Sequence, residues 1–121
     1  HRAIRDSGWS GRVITAFRPD PVVDPDYEGF HANLDRLGDL TGRDARTWQG
    51  YLAALRDRRA VFAQHDATST DHGHPTAFTA DLSSTEAEAL FARVAAGPVD
   101  ADTAELFRGQ MLTEMARMSL D

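Results

Sequence analysis

Two short stretches carry the residue types that do chemistry. In the first, Arg18-Pro19-Asp20 follows the run Val13-Ile14-Thr15-Ala16-Phe17. A proline biases the residue before it toward extended backbone, which would hold the Arg18 guanidinium at the end of that run. An arginine so placed can grip a carboxylate through two parallel hydrogen bonds. It can equally pair with Asp20 or Asp24 and serve only the structure. The second stretch is Asp71-His72-Gly73-His74. A carboxylate beside an imidazole suits general acid–base work. Neutral imidazoles at His72 and His74 can also ligate a metal, although two ligands do not make a site. Gly73 would let the backbone approach a ligand closely. The plain alternative is a polar loop. His31 and His65 fall within helical patterns and read as surface or packing residues.

Reactive groups in α/β folds sit at the carboxyl ends of parallel strands, so the elements around the two stretches matter. Residues 11–18 read as a short strand. The run is apolar and β-branched without alternation, as in a strand buried on both faces, and Pro19 and Pro21 end it. Residues 67–71 read as a second, shorter strand running into the Asp71-His72 pair. Between them two helices are expected. One spans about 25–41, with Pro25 at its first position, Tyr27, Phe30, Leu34 and Leu37 on one face, and Gly42 as its stop. The other spans about 44–65, with Trp48, Tyr51, Leu52, Leu55 and Phe62 on its buried face. Ser83-Ser84-Thr85-Glu86 is a capping box for a helix over about 84–96, ended by Gly97-Pro98. Asp102 opens a fourth helix over about 101–119, lined by Phe107, Met111, Met115 and Met118. Strand, two helices, strand, two helices argues for α/β with parallel-type strands. Two strands cannot make a stable sheet buried on both faces, so residues 1–121 read as a single internal segment of something larger.

The length of 121 residues fits one domain. The formal charge of −6 argues against a nucleic-acid partner, since phosphate binding needs clustered cations. No apolar run approaches the length of about 20 residues that a membrane span needs, and His1 to Arg5 lead into no signal-like apolar region. Cysteine is absent, which removes disulfides and thiolate chemistry. All 13 basic residues are arginine, so Schiff-base chemistry is removed as well. Cytoplasm is the default compartment. Both ends, at His1 and Asp121, read as cut rather than finished.

Four stretches carry a resemblance: V-I-T-A-F-R-P-D, W-Q-G-Y-L-A-A-L, T-S-T-D-H-G-H and E-L-F-R-G-Q-M-L-T-E-M-A. In order and interval they resemble the uronate isomerases of the amidohydrolase superfamily, across the whole chain but only an internal part of the family's length. The resemblance implies a mostly helical fragment of a distorted (β/α)8 TIM barrel, with two short strands and about four helices. It implies an aldose–ketose isomerase acting on hexuronates, glucuronate with fructuronate and galacturonate with tagaturonate, aided by a divalent metal such as zinc. Arg18 resembles the arginine that binds the acidic sugar, and Asp71 and His72 resemble the catalytic Asp-His pair. The metal-binding His-x-His of the superfamily lies on the first barrel strand, upstream of His1, and further ligands lie downstream of Asp121. The pair at His72 and His74 is therefore not that motif, His74 keeps no assigned role beyond candidate ligand, and no cofactor is expected in the segment itself. The segment alone would be inactive, and its uncovered strand implies a homo-oligomer. The rivals are a small helical binding or assembly module and a stand-alone metal-binding domain built on His72 and His74.

Overall fold

The computed structural model describes residues 2–120; His1 and Asp121, the expected cut ends, lie outside the described residues. Six helices follow in order: α1 Arg2–Asp6, α2 Asp20–Val23, α3 Phe30–Thr41, α4 Trp48–Ala63, α5 Ser84–Ala96 and α6 Ala101–Met118. Helices α3 to α6 pack in chain order, each on the next, and α2 closes against α3 and α6. None of the described helices is long and apolar enough to cross a membrane.

The expected strands over residues 11–18 and 67–71 do not form. What remains among the described residues is one parallel bridge between Phe17 and Thr70. The Phe17 N–H donates to the Ser69 carbonyl at 2.9 Å, and the Asp71 N–H donates to the Phe17 carbonyl at 2.9 Å. The physical reason is the number of partners: a strand of the buried kind needs neighbours on both edges and cover on both faces, and here one neighbour meets it at one position. Val13 and Ile14 accordingly stay 39% and 46% exposed. Helix α4 supports the bridge from below. Phe62 meets the Phe17 ring edge-on with centroids 5.2 Å apart. Arg59 lies over the Phe17 ring and donates to the Thr70 hydroxyl at 2.5 Å.

Helix bounds also shift, each for a local reason. The helix expected from about residue 25 starts at Phe30, because Asp24 to Tyr27 form a turn and Gly29 takes a left-handed φ of 76° before the first helical residue. Tyr27 is thus exposed, and Pro25 is not helical. The short α2 went unforeseen, with Pro21 in its first turn. The second helix starts at Trp48 behind a Thr47 cap rather than at Asp44. Asp100, not Asp102, caps α6 by accepting from the Thr103 N–H at 2.8 Å.

The core is aromatic. Tyr51 stacks on Phe91 at 4.5 Å, Phe91 stacks near Phe107 at 6.1 Å, and Trp48 leans on Phe91. The buried Tyr51 hydroxyl donates to the Val22 carbonyl at 2.7 Å, which satisfies the one polar atom that burial would strand. The three methionines of α6 join this core, as befits flexible gap-filling side chains.

Helix α6 organises the rest of the chain. Residues 76–82 run across it: Thr76 bonds Glu105, the Ala80 carbonyl accepts from Thr113 at 2.6 Å, the Leu82 N–H donates to the fully buried Gln110 at 2.8 Å, and Asp81 pairs with Arg117. Phe78 crosses at Gly109, where a side chain would put its Cβ 2.7 Å from the ring. On the same helix Arg108, only 6% exposed, donates to Asp24 at 2.9 Å, to Asp26 at 2.8 Å and to Glu105 at 3.0 Å. One guanidinium thereby fixes the turn after α2.

The capping box forms as expected, with Ser83 and Glu86 satisfying each other's backbone donors. Ser83→Ala should lower the unfolding free energy by about 1 kcal/mol at neutral pH. Hydrogen bonds from the Ser83 hydroxyl and then its N–H hold the Glu86 carboxyl below the usual range. A depressed folded value stabilises above the ordinary carboxylate range and is lost as pH falls through the folded value. The gap between wild type and Ser83→Ala should therefore narrow below about pH 4; urea titrations at the two pH values read it, and an unchanged gap would remove Glu86 from the account.

Candidate functional site

The Phe17–Thr70 bridge sets the carboxyl ends of the two extended segments side by side, so Arg18 and Asp71 leave it as neighbours. Arg18 Nη1 lies 3.5 Å from Asp71 Oδ2, with both side chains more than half exposed. The Arg18 Nε also donates to Asp20 Oδ2 at 2.6 Å. The structural partner expected for Arg18 is therefore real, and the guanidinium still reaches Asp71. Asp24, the other partner considered, belongs to Arg108 instead.

Asp20 has a larger part than its place beside Arg18 in the sequence suggests. It is 6% exposed, and both carboxylate oxygens accept from the Gly73 N–H at 3.0 Å. Burial pushes its carboxyl up, but the Arg18 and Gly73 hydrogen bonds more than offset this, and the net displacement is below the usual range. Asp20 is thus an ionised clasp between the two loops. Gly73 makes the clasp feasible: a Cβ there would fall 2.9 Å from Asp20 Oδ2 and nearer still to Arg18 Nη2. No spacing rule joins residues 53 positions apart, so this partnership needs the fold.

His72 and His74 flank that glycine, with ring centroids 5.1 Å apart. Ligand atoms of Asp20, His72 and His74 all lie within 4.8 Å of one another. Nδ1 of His72 and both ring nitrogens of His74 are buried without a hydrogen-bond partner. Burial pushes both imidazoles below the ordinary histidine range, which keeps them neutral at pH 7, the form that ligates metal or accepts a proton. His31 and His65, expected as surface or packing residues, each set a ring nitrogen against a main-chain carbonyl, of Val94 at 3.0 Å and of Val61 at 2.8 Å. The arrangement can hold an anion at Arg18, move a proton at Asp71 or His72, and place two imidazoles and a carboxylate around one point.

A family model described as glucuronate isomerase matches residues 1–121. The chain belongs to that family. Curated relatives named uronate isomerase include that of Rhizorhabdus wittichii, 69% identical over 121 residues, and that of Mesorhizobium japonicum, 63% identical over the same length. Each match covers the whole of this chain and 26% of the relative. The chain thus spans about a quarter of the length of the curated relatives it matches. The crystal structure of glucuronate isomerase from Caulobacter crescentus superposes with a TM-score of 0.94 at 56% identity, over 100% of this chain and 25% of that one. The uronate isomerase structure from Thermotoga maritima shares the fold, with a TM-score of 0.89 at 22% identity over 98% of this chain and 27% of that one.

Asp20→Ala removes the clasp and leaves the Gly73 N–H and the Arg18 guanidinium without their partner. It should cost about 1–3 kcal/mol and let residues 71–75 open locally. Amide exchange at Gly73 should quicken by about tenfold or more, while the Tyr51–Phe91 core stays protected. Unchanged exchange at Gly73 would show that the loop is held by other means.

Proposed function

We propose that the protein of which this chain forms a part isomerises hexuronates between aldose and ketose forms, glucuronate and galacturonate being the substrates. The observation that carries the reading is the Arg18–Asp71 pair, 3.5 Å apart just past the single Phe17–Thr70 bridge, in a chain whose relatives are named uronate isomerases over its entire length. Arg18 holds the sugar carboxylate with paired N–H donors. Asp71 moves the proton between neighbouring carbons, and His72, neutral and beside it, takes or returns a proton at oxygen. Asp20 fixes the Arg18 fork from behind.

A divalent metal, zinc in this reading, polarises the sugar oxygens when bound. In this reading the ligands of that ion would lie on strands outside residues 1–121. The whole barrel, of the amidohydrolase (β/α)8 type, would extend the Phe17–Thr70 bridge into a sheet. The hollow of about 430 Å³ lined by Phe17, Arg59, Thr70 and Met118 among others is where neighbouring elements would pack. Cytoplasm is the compartment that fits this metabolic role.

In the whole enzyme, Arg18→Met should raise KM for glucuronate far more than it lowers thermal stability, because a substrate carboxylate left without its fork loses about 2–5 kcal/mol. Asp71→Asn should depress kcat with metal content unchanged. Normal kcat/KM in Arg18→Met would make that arginine structural, and metal loss in Asp71→Asn would move Asp71 into the coordination sphere.

The 121-residue chain by itself should show no turnover of glucuronate, with or without zinc, and should associate through exposed apolar side chains such as Ile14 and Trp9. Metal-dependent turnover, or a 13.3 kDa monomer in light scattering that persists at micromolar concentration, would overturn the corresponding half of this expectation.

A further inference from the structure

We propose that Asp20, His72 and His74 form a binding site for one first-row divalent cation of the zinc class. The proposal stands on this chain's own side chains and is independent of the isomerase reading. Three features converge. Ligand atoms of all three residues lie within 4.8 Å of one another. Three ring nitrogens, Nδ1 of His72 and both of His74, are buried with no hydrogen-bond partner, and buried polar atoms without partners call for a missing ion or water. The donor set, two imidazoles and one carboxylate, suits zinc, nickel or cobalt; magnesium and calcium take oxygen ligands instead.

Zinc–nitrogen bonds of about 2.0–2.1 Å in a tetrahedral site bring ligand atoms to about 3.3 Å apart. The contraction from the present spacing asks for modest turns of the two rings. No hydrogen bond at those three nitrogens opposes the turn. Asp20 has room for a cation: the Arg18 Nε bond falls on Oδ2 and the Gly73 N–H is shared between both oxygens, which leaves a lone pair on Oδ1. The positive charge of Arg18 is faced by Asp20 and Asp71, so these two carboxylates outweigh it by one charge. His72 and His74 flank Gly73 with ring centroids 5.1 Å apart, and a Cβ at Gly73 would meet Asp20 Oδ2 at 2.9 Å and push the clasp apart. Three protein ligands leave a fourth position open.

The test is zinc binding to the metal-free 121-residue chain, followed by calorimetry and by long-range ¹H–¹⁵N spectra of the histidine rings. One zinc ion per chain is expected, with ring signals of His72 and His74 moving and those of His31 and His65 staying in place. His74→Ala should weaken binding by at least about tenfold, the range seen on loss of even indirect support for a metal, and His65→Ala should leave it unchanged. The ring spectra are read on the unsubstituted chain, so a folding defect in His74→Ala does not hide the answer. Cobalt should report the same site through visible absorption of a four-coordinate ion. The proposal is overturned if zinc leaves the His72 and His74 signals unmoved, if binding survives His74→Ala in a variant with wild-type helicity, or if the two rings titrate against water alone.

Discussion

Two backbone hydrogen bonds decide where everything chemical in this chain sits. The Phe17 N–H reaches Ser69 and the Phe17 carbonyl takes the Asp71 N–H. A parallel pair has evenly spaced, slanted bonds and a long crossover; here α2, α3 and α4 make up that crossover. Because the pairing is parallel, both segments end on the same side, and residues 18 and 71 emerge together. Had the pairing been antiparallel, Arg18 would have faced the start of the second segment, and the carboxylate and imidazoles would have lain at its far end. Helix α4 secures the register from the other direction, with the Phe62 ring on Phe17 and Arg59 on Thr70.

The second anchor is α6. A loop that leaves a single bridge is free to wander unless its far side is fixed too. Here the segment after His74 is tied along successive turns of α6, at Glu105, Gln110, Thr113 and Arg117. The loop of residues 71–75 is therefore stretched between a bridge and a helix. Arg108, from the same helix, fixes the turn that follows Asp20 through Asp24 and Asp26. Such a buried guanidinium is costly to desolvate and repays this only when its donors are paired. Three carboxylates pair its Nη1 and Nη2, while Nε is buried without a partner.

Helices with strong local signals were legible in the sequence: the Ser83–Glu86 box, the Gly42 and Gly97 stops, and the apolar faces of α5 and α6. These depend on interactions within a few residues. Misjudged features depend on distant partners. The apolar run Val13 to Phe17 is strand-like in type, but a ladder is a property of two segments, and this chain offers a match at one position. Pro25 looked like a helix start, yet Arg108 captures Asp24 and Asp26 and holds the chain there in a turn. The candidate site was legible to the same degree. Arg18, Asp71, His72 and His74 stand out by type and by position after an extended run. Asp20 does not, because its importance lies in a glycine amide far along the chain.

Chains generally satisfy their buried polar groups, and the places where they do not are where function concentrates. Much of the core meets that rule: Tyr51 has Val22, and Gln110 has Leu82 and Glu114, while Thr15 Oγ1 and Arg108 Nε are buried without a partner. Around Gly73 the rule fails, with three unpaired imidazole nitrogens within a few ångströms of an ionised, buried carboxylate. A group left in that condition costs about 1–3 kcal/mol, against a total stability of about 5–15 kcal/mol for a domain. The unpaired nitrogens are the observation on which the proposed cation site rests.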